Sequence, residues 1–158
     1  MTVEIPENAL ADKETLPFTA LCFTTRTTLA TLSDWNHVPD ELYTEADRLD
    51  LQITGPIQYI YTGVTGDVNN EFRLDIACPI ATPTDSAGTF TYKTFAGFRC
   101  AVCTYTGAWT DFPAVYDALF GQLYGSGRQN DGHIREVYAY VDKSHPETNM
   151  TEIQIGLA

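Results

Sequence analysis

Apolar positions along the chain recur with two periods, one of about 3.6 residues and one of two, and the two alternate in a repeating order. Residues 17–28 (PFTALCFTTRTT) are dense in β-branched and aromatic side chains, the composition of a strand. From residue 33 the period lengthens: Trp35, Val38, Leu42, Ala46 and Leu49 recur at steps of three and four, which predicts a helix. Ser33 or Asp34 serves as its N-cap, and Pro39 marks a break or sits in the first turn. Gly55-Pro56 closes the segment. Residues 57–64 and 71–80 then read as a strand hairpin, followed by a Thr/Pro/Ser/Gly-rich connector over 82–88.

The order then returns. Residues 89–95 and 98–105 read as strands separated by Ala96-Gly97. A second helix is capped by Thr110, tolerates Pro113 in its first turn, and carries the stripe Phe112, Val115, Leu119, Phe120 and Leu123. Gly125-Ser126-Gly127 ends it. Residues 132–141 and 151–157 form the last two strands. A shift of 77 residues lays Ile57 on Ile134, Tyr61 on Tyr138 and, without a gap, Asp75 on Glu152 and Ile80 on Leu157. The expected fold is therefore α+β, with duplicated β-α-β-β halves about a pseudo-two-fold axis and an antiparallel sheet. Residues 1–16 form a polar lead-in, 17–81 the first repeat, 82–97 a connector and linking strand, and 98–158 the second repeat, all in one domain.

One strand carries an awkward residue. In 132–141, Ile134, Glu136, Tyr138 and Tyr140 alternate onto one side, and Arg135, Val137, Ala139 and Val141 onto the other. A carboxylate among rings is costly unless a cation meets it. Under the repeat, Tyr59 takes the place of Glu136 and Tyr61 that of Tyr138. The apolar Val137 side suits the second helix, so the helices are expected on that face of the sheet, with Glu136 in a ligand cleft on the other. Trp109, and Trp35 in the first helix, are expected to add walls. A flat organic cation would relieve the carboxylate and gain about 0.5–2 kcal/mol per well-placed ring. Glu136 paired with Arg99 or Arg73, or facing water, is the alternative that the pattern alone leaves open.

Charge and cysteines narrow the function. A net charge of −12 opposes direct nucleic-acid binding. No segment has the roughly 20 apolar residues of a membrane span, and the N-terminus lacks the pattern of a secretory signal. Cys100 and Cys103 have metal spacing, but in a strand they face opposite sides, so they read, with Cys22 and Cys78, as buried thiols of a reducing cytoplasm. His37, His133 and His145 are scattered. No catalytic set, metal site or cofactor is expected.

The stretch 95–130 (FAGFRCAVCTYTGAWTDFPAVYDALFGQLYGSGRQN) resembles the middle of the GyrI-like small-molecule-binding domain, the effector-binding part of some AraC- and MerR-type transcription regulators. Ala96-Gly97-Phe98, Thr106-Gly107-Ala108-Trp109, Ser126-Gly127 and Glu136-Val137-Tyr138 follow that family's pattern in order, and residues 151–155 resemble its closing strand. Trp109 stands where Tyr is commoner, and Gly156 where Pro is frequent. The resemblance implies an SHS2-like duplicated fold and a central pocket for large, often cationic aromatic compounds, with its carboxylate at Glu136. The expected function is binding of a hydrophobic cationic small molecule by Glu136, Tyr138, Tyr59, Tyr61, Trp109 and Trp35, for sequestration or effector sensing without a DNA-binding module. Hydrolysis of strained cyclopropane-type toxins by the same carboxylate is the alternative that the resemblance implies, as is protein regulation of the gyrase-inhibitor type. A homodimer or a separate regulatory partner stays open.

Overall fold

The computed structural model describes Val3 and residues 5–158; of the lead-in, Met1, Thr2 and Glu4 lie outside the described residues. Eight strands and two helices run in the order β1 (Ala11–Glu14), β2 (Phe18–Thr27), α1 (Val38–Arg48), β3 (Gln58–Thr62), β4 (Phe72–Ile80), β5 (Thr91–Phe95), β6 (Arg99–Thr106), α2 (Phe112–Gly125), β7 (Asn130–Tyr140) and β8 (Met150–Leu157). The strands form one antiparallel sheet, ordered β1-β6-β8-β7-β3-β4-β2-β5. Read outward from the centre, β3-β4-β2-β5 on one side matches β7-β8-β6-β1 on the other. The match reaches side chains: Lys93 on β5 pairs with Asp75 on β4 at 2.9 Å, and Lys13 on β1 pairs with Glu152 on β8 at 3.0 Å.

The expected α+β architecture with an antiparallel sheet is present, and its strand order accords with the expected duplication, with three local differences. Part of the lead-in is a strand, because Ala11–Glu14 pairs with β6 in register. Its side chains are all exposed, so no apolar alternation marked it. The first helix begins with a 3-10 turn, Leu29–Trp35, capped by Thr28 through a reciprocal capping box with Thr31, and α1 proper follows with Pro39 in its first turn. Likewise Trp109–Asp111 is a 3-10 turn, and α2 starts at Phe112 rather than after Thr110.

The larger correction concerns the faces. Val38, Leu42 and Ala46 of α1 pack on Leu21, Tyr59, Tyr61, Phe72, Leu74, Ile76 and Ile134, while Val115, Leu119 and Leu123 of α2 pack on Ala101, Cys103, Ile153 and Ile155. The helices therefore cover the face of Tyr59, Tyr61 and Glu136, and the expected cleft on the opposite face is not where the site lies. The Val137 face is more apolar on β7, but the face chosen is set by the sum over all strands. Phe72, Leu74, Ile76, Leu21, Ile153 and Ile155 outweigh it.

The opposite face is closed another way. The segments following β1 and β5 lie against each other there: Thr15 N–H donates to Phe98 O at 3.0 Å, and Phe98 N–H to Thr15 Oγ1 at 3.1 Å. Gly97 permits this contact, since a Cβ at that position would stand 2.1 Å from Thr15 O. Beneath the contact Arg135, 4% exposed, places its guanidinium 4.3 Å over Phe98 and 5.9 Å from Phe18 and Phe95. It donates to Ala96 O and to His133 Nε2, both at 3.0 Å.

Candidate ligand site around Glu136

Strands β3 and β7 are the central pair, and Tyr59 lies directly opposite Glu136. These two positions are also equivalent under the sequence repeat, so the axis relating the halves passes through this pair. On β7 the next helix-facing residues are Ile134 and Tyr138; on β3 the neighbour is Tyr61. A shift in pairing between Tyr138 and Tyr140 takes Tyr140 out of the expected alternation. Tyr140 is half exposed and outside the cluster.

Glu136 is 4% exposed. Its Oε1 accepts hydrogen bonds from Tyr61 Oη at 2.7 Å and Tyr138 Oη at 2.6 Å, and its Oε2 from Tyr116 Oη at 2.6 Å. Among the described residues no Lys, Arg or His pairs with it: Arg73 goes to Asp75 on the other face, and Arg99 has no ion pair to Glu136. Burial pushes the Glu136 carboxyl above its usual value, and the three phenol donors pull in the opposite direction without cancelling the effect. The same burial, with the nearby carboxylate, drives Tyr61, Tyr116 and Tyr138 well above the ordinary phenol range and Tyr59 up to about 12. The phenols are thus held as neutral donors.

The rings support one another. Tyr59 meets Tyr138 edge-on at 5.1 Å, Tyr61 leans on Phe72 at 5.5 Å, and Trp109 tilts over Tyr138 at 5.1 Å. Trp109 is 43% exposed and fixed by an indole N–H bond to Thr151 Oγ1 at 3.3 Å, so it forms the solvent side of the cluster. Of the expected residues, Tyr61 and Tyr138 touch the carboxylate, while Tyr59 and Trp109 touch Tyr138. Trp35 does neither. It packs at the edge of the same apolar cluster, with its indole N–H on Thr27 Oγ1 at 3.0 Å and its ring 5.4 Å from Phe23.

Tyr116 was not among the expected residues, although the sequence holds a sign of it. Phe112, Tyr116, Phe120 and Tyr124 recur every fourth residue along α2; Phe112 meets Tyr116 edge-on at 6.0 Å, and Tyr116, Phe120 and Tyr124 stack at 5.9 and 5.8 Å. An aromatic ladder facing a strand with a central Glu brings one ring over that Glu. The apolar stripe at Val115, Leu119 and Leu123 masked it, because it satisfied the helical period alone.

Residues 13–158 match the model of the GyrI-like small molecule binding domain, and the chain belongs to that family. Among curated proteins no match was found. Solved structures share the fold at low identity. The C-terminal domain of EcmrR superposes with a TM-score of 0.78 at 15% identity, covering 94% of this chain and 96% of that one. EcmrR in a complex with DNA superposes with a TM-score of 0.79 at 15% identity, over 94% of this chain and 56% of the longer one. SAV2435, solved with tetraphenylphosphonium bound, gives 0.63 at 14% identity over 94% and 93%. A hydrolase encoded by lin2189 of Listeria innocua gives 0.66 at 12% identity over 97% and 93%.

Proposed function

We propose that the chain binds hydrophobic, aromatic cations against Glu136, with Tyr59, Tyr61, Tyr116, Tyr138 and Trp109 as the surrounding rings. The carrying observation is a carboxylate 4% exposed whose partners are all neutral. Three phenols solvate the charge but do not neutralise it, so an organic cation adds Coulomb attraction at low effective dielectric and the pull of the ring faces. A neutral ligand of equal shape gains neither. The cluster is closed by side chains, and the half-exposed Trp109 is the ring on its solvent side, past which a ligand would enter. The phosphonium cation bound in the SAV2435 structure accords with this reading.

The test is a fluorescence titration with a cationic aromatic dye and its neutral isostere. Glu136→Gln is expected to weaken the cation about 100-fold, the scale of losing one buried charge partner, and to leave the isostere unchanged. Equal cation affinity in both proteins would remove Glu136 from the role. We read the module as serving sequestration or sensing, with any regulatory output passed through a separate partner rather than direct DNA contact. Its four buried free thiols fit a reducing cytoplasm, and no helix in the described residues is long and apolar enough to cross a membrane.

A second reading, hydrolysis, draws on the hydrolase from Listeria innocua and on the short phenol–carboxylate contacts, which can relay a proton. We place it behind binding because Glu136 is already engaged by three phenol donors and no metal-ligating cluster stands beside it among the described residues. Incubation with a strained cyclopropane electrophile, followed by mass spectrometry, separates the two: ring-opened product that is absent with Glu136→Gln would establish turnover.

A further inference from the structure

The hydrogen bonds to Glu136 are unevenly shared between its oxygens. A carboxylate offers about four acceptor positions, two on each oxygen. Among the described residues Oε1 accepts from both Tyr61 and Tyr138 and is full, and Oε2 accepts from Tyr116 alone. One position is therefore open, and it belongs to the oxygen contacted from α2. We propose that the site selects cations carrying a single N–H donor, protonated tertiary amines on an aromatic scaffold, over quaternary onium ions and over two-donor amidinium or guanidinium groups. This rests on the reading that cations bind at Glu136, and adds which of them bind best.

Each class meets the site differently. A tertiary ammonium places its one N–H on the open Oε2 position and displaces nothing. A quaternary ion keeps the Coulomb and ring-face attraction but leaves that position empty, forgoing a charge-assisted hydrogen bond. An amidinium presents two parallel donors that span both oxygens, and Oε1 has no room for one. It must dislodge Tyr61 or Tyr138, leaving a buried hydroxyl unpaired. Neither ring moves freely: Tyr61 is 4% exposed and lies on Phe72, and Tyr138 is held between Tyr59 and Trp109.

The experiment uses three ligands on one naphthylmethyl scaffold, ending in dimethylammonium, trimethylammonium and amidinium, titrated calorimetrically into the full chain near neutral pH. In the wild type the dimethylammonium ligand is expected to bind about tenfold tighter than the trimethylammonium, the worth of one net charge-assisted hydrogen bond, with the amidinium also weaker. Tyr138→Phe keeps the ring and frees a position on Oε1 beside the open one on Oε2, so the amidinium gains about tenfold relative to the ammonium. Tyr116→Phe frees a second position on Oε2 only, and the amidinium stays disfavoured. Equal affinities for the dimethyl and trimethyl ligands in the wild type overturn the proposal, without reliance on any variant folding. So does an unchanged rank order in folded Tyr138→Phe. Binding by all three without rank overturns the donor count alone, whereas binding by none overturns the cation reading beneath it.

Discussion

Glu136 and Arg135 are neighbours on β7, both 4% exposed, and they lie on opposite faces of the sheet. Among the described residues neither forms an ion pair, although the buried Asp75 shares the Arg135 face, where Lys93 and Arg73 hold it. Their surroundings nonetheless differ in kind. Arg135 sits against three phenylalanine rings, whose negative faces attract a cation, and spends two donors on Ala96 O and His133 Nε2. Glu136 sits among rings whose faces repel an anion, and only the phenol hydroxyls help it. The protein thus cages its own cation on one face and holds an unneutralised anion on the other. The Arg135 cage is complete, whereas Glu136 meets no cation among the described residues, and that is the place the proposed ligand would take.

The same comparison holds between the halves. At the positions equivalent to Arg135 and Glu136, β3 carries Gln58 and Tyr59. The strand order is repeated and these two charges are not; β7 carries both Arg135 and Glu136, while the other buried charge among the described residues, Asp75 on β4, is paired with Lys93 and Arg73.

Five substitutions probe this contrast, taken from the largest expected effect on stability to the smallest. Gly97→Ala drives a Cβ into Thr15 O and separates the segments over Arg135; a loss of about 3 kcal/mol or more is expected from chemical denaturation. Retained stability would mean the contact is pliable. Arg135→Ala empties the space between Phe18, Phe95 and Phe98 and leaves Ala96 O unpaired, at a cost of about 2–3 kcal/mol, yet cation affinity at Glu136 should stay within about twofold. A parallel loss of affinity would show that the faces are coupled.

Glu136→Gln works in the other direction and with a pH signature. The folded-state carboxyl lies above its unfolded value because of burial, so folding favours the protonated form. The wild type compares best with the variant below the ordinary carboxylate range, and it loses ground as pH rises through the folded value. Near neutrality the Gln variant is expected to be more stable by about 1 kcal/mol, the gap closing toward acid. Thermal melts across that range check it, and a gap that widens toward acid would reverse the assignment. A saturating cation should restore the wild type's standing. Cation affinity itself falls as pH drops through the same window, since the bound form is the carboxylate. Trp35→Phe is the smallest change: losing the bond to Thr27 costs about 1 kcal/mol or less and leaves dye affinity within about twofold, whereas Trp109→Phe alters it by more.

Much of the fold was legible because its elements carry strong periods. The stripe at Val38, Leu42 and Ala46, the alternation at Phe72, Leu74 and Ile76, and the gapless shift between hairpins each reported a buried surface. The strand Ala11–Glu14 was not legible. It holds its place by backbone hydrogen bonds at the sheet edge, and its exposed side chains carry no pattern. The site was half legible. Glu136, Tyr61, Tyr138, Tyr59 and Trp109 are each marked by the repeat or by the family pattern, whereas Trp35 lies on Thr27 and Phe23 away from Glu136, and Tyr116 carries no mark in either pattern. A residue on a helix reaches a strand residue only through packing, which no spacing within either element records.

The amino-acid sequence by itself determined the repeat, the two helices and the fact that one of two equivalent central positions is a carboxylate. Tertiary structure alone decided which face the helices cover and how many hydroxyls reach that carboxylate. The first follows from apolar area summed over eight strands, so a single strand such as β7 could point the wrong way. The second depends on α2 laying Tyr116 over Oε2 while β3 and β7 bring Tyr61 and Tyr138 to Oε1. That division of donors is what the proposed preference for single-donor cations rests on.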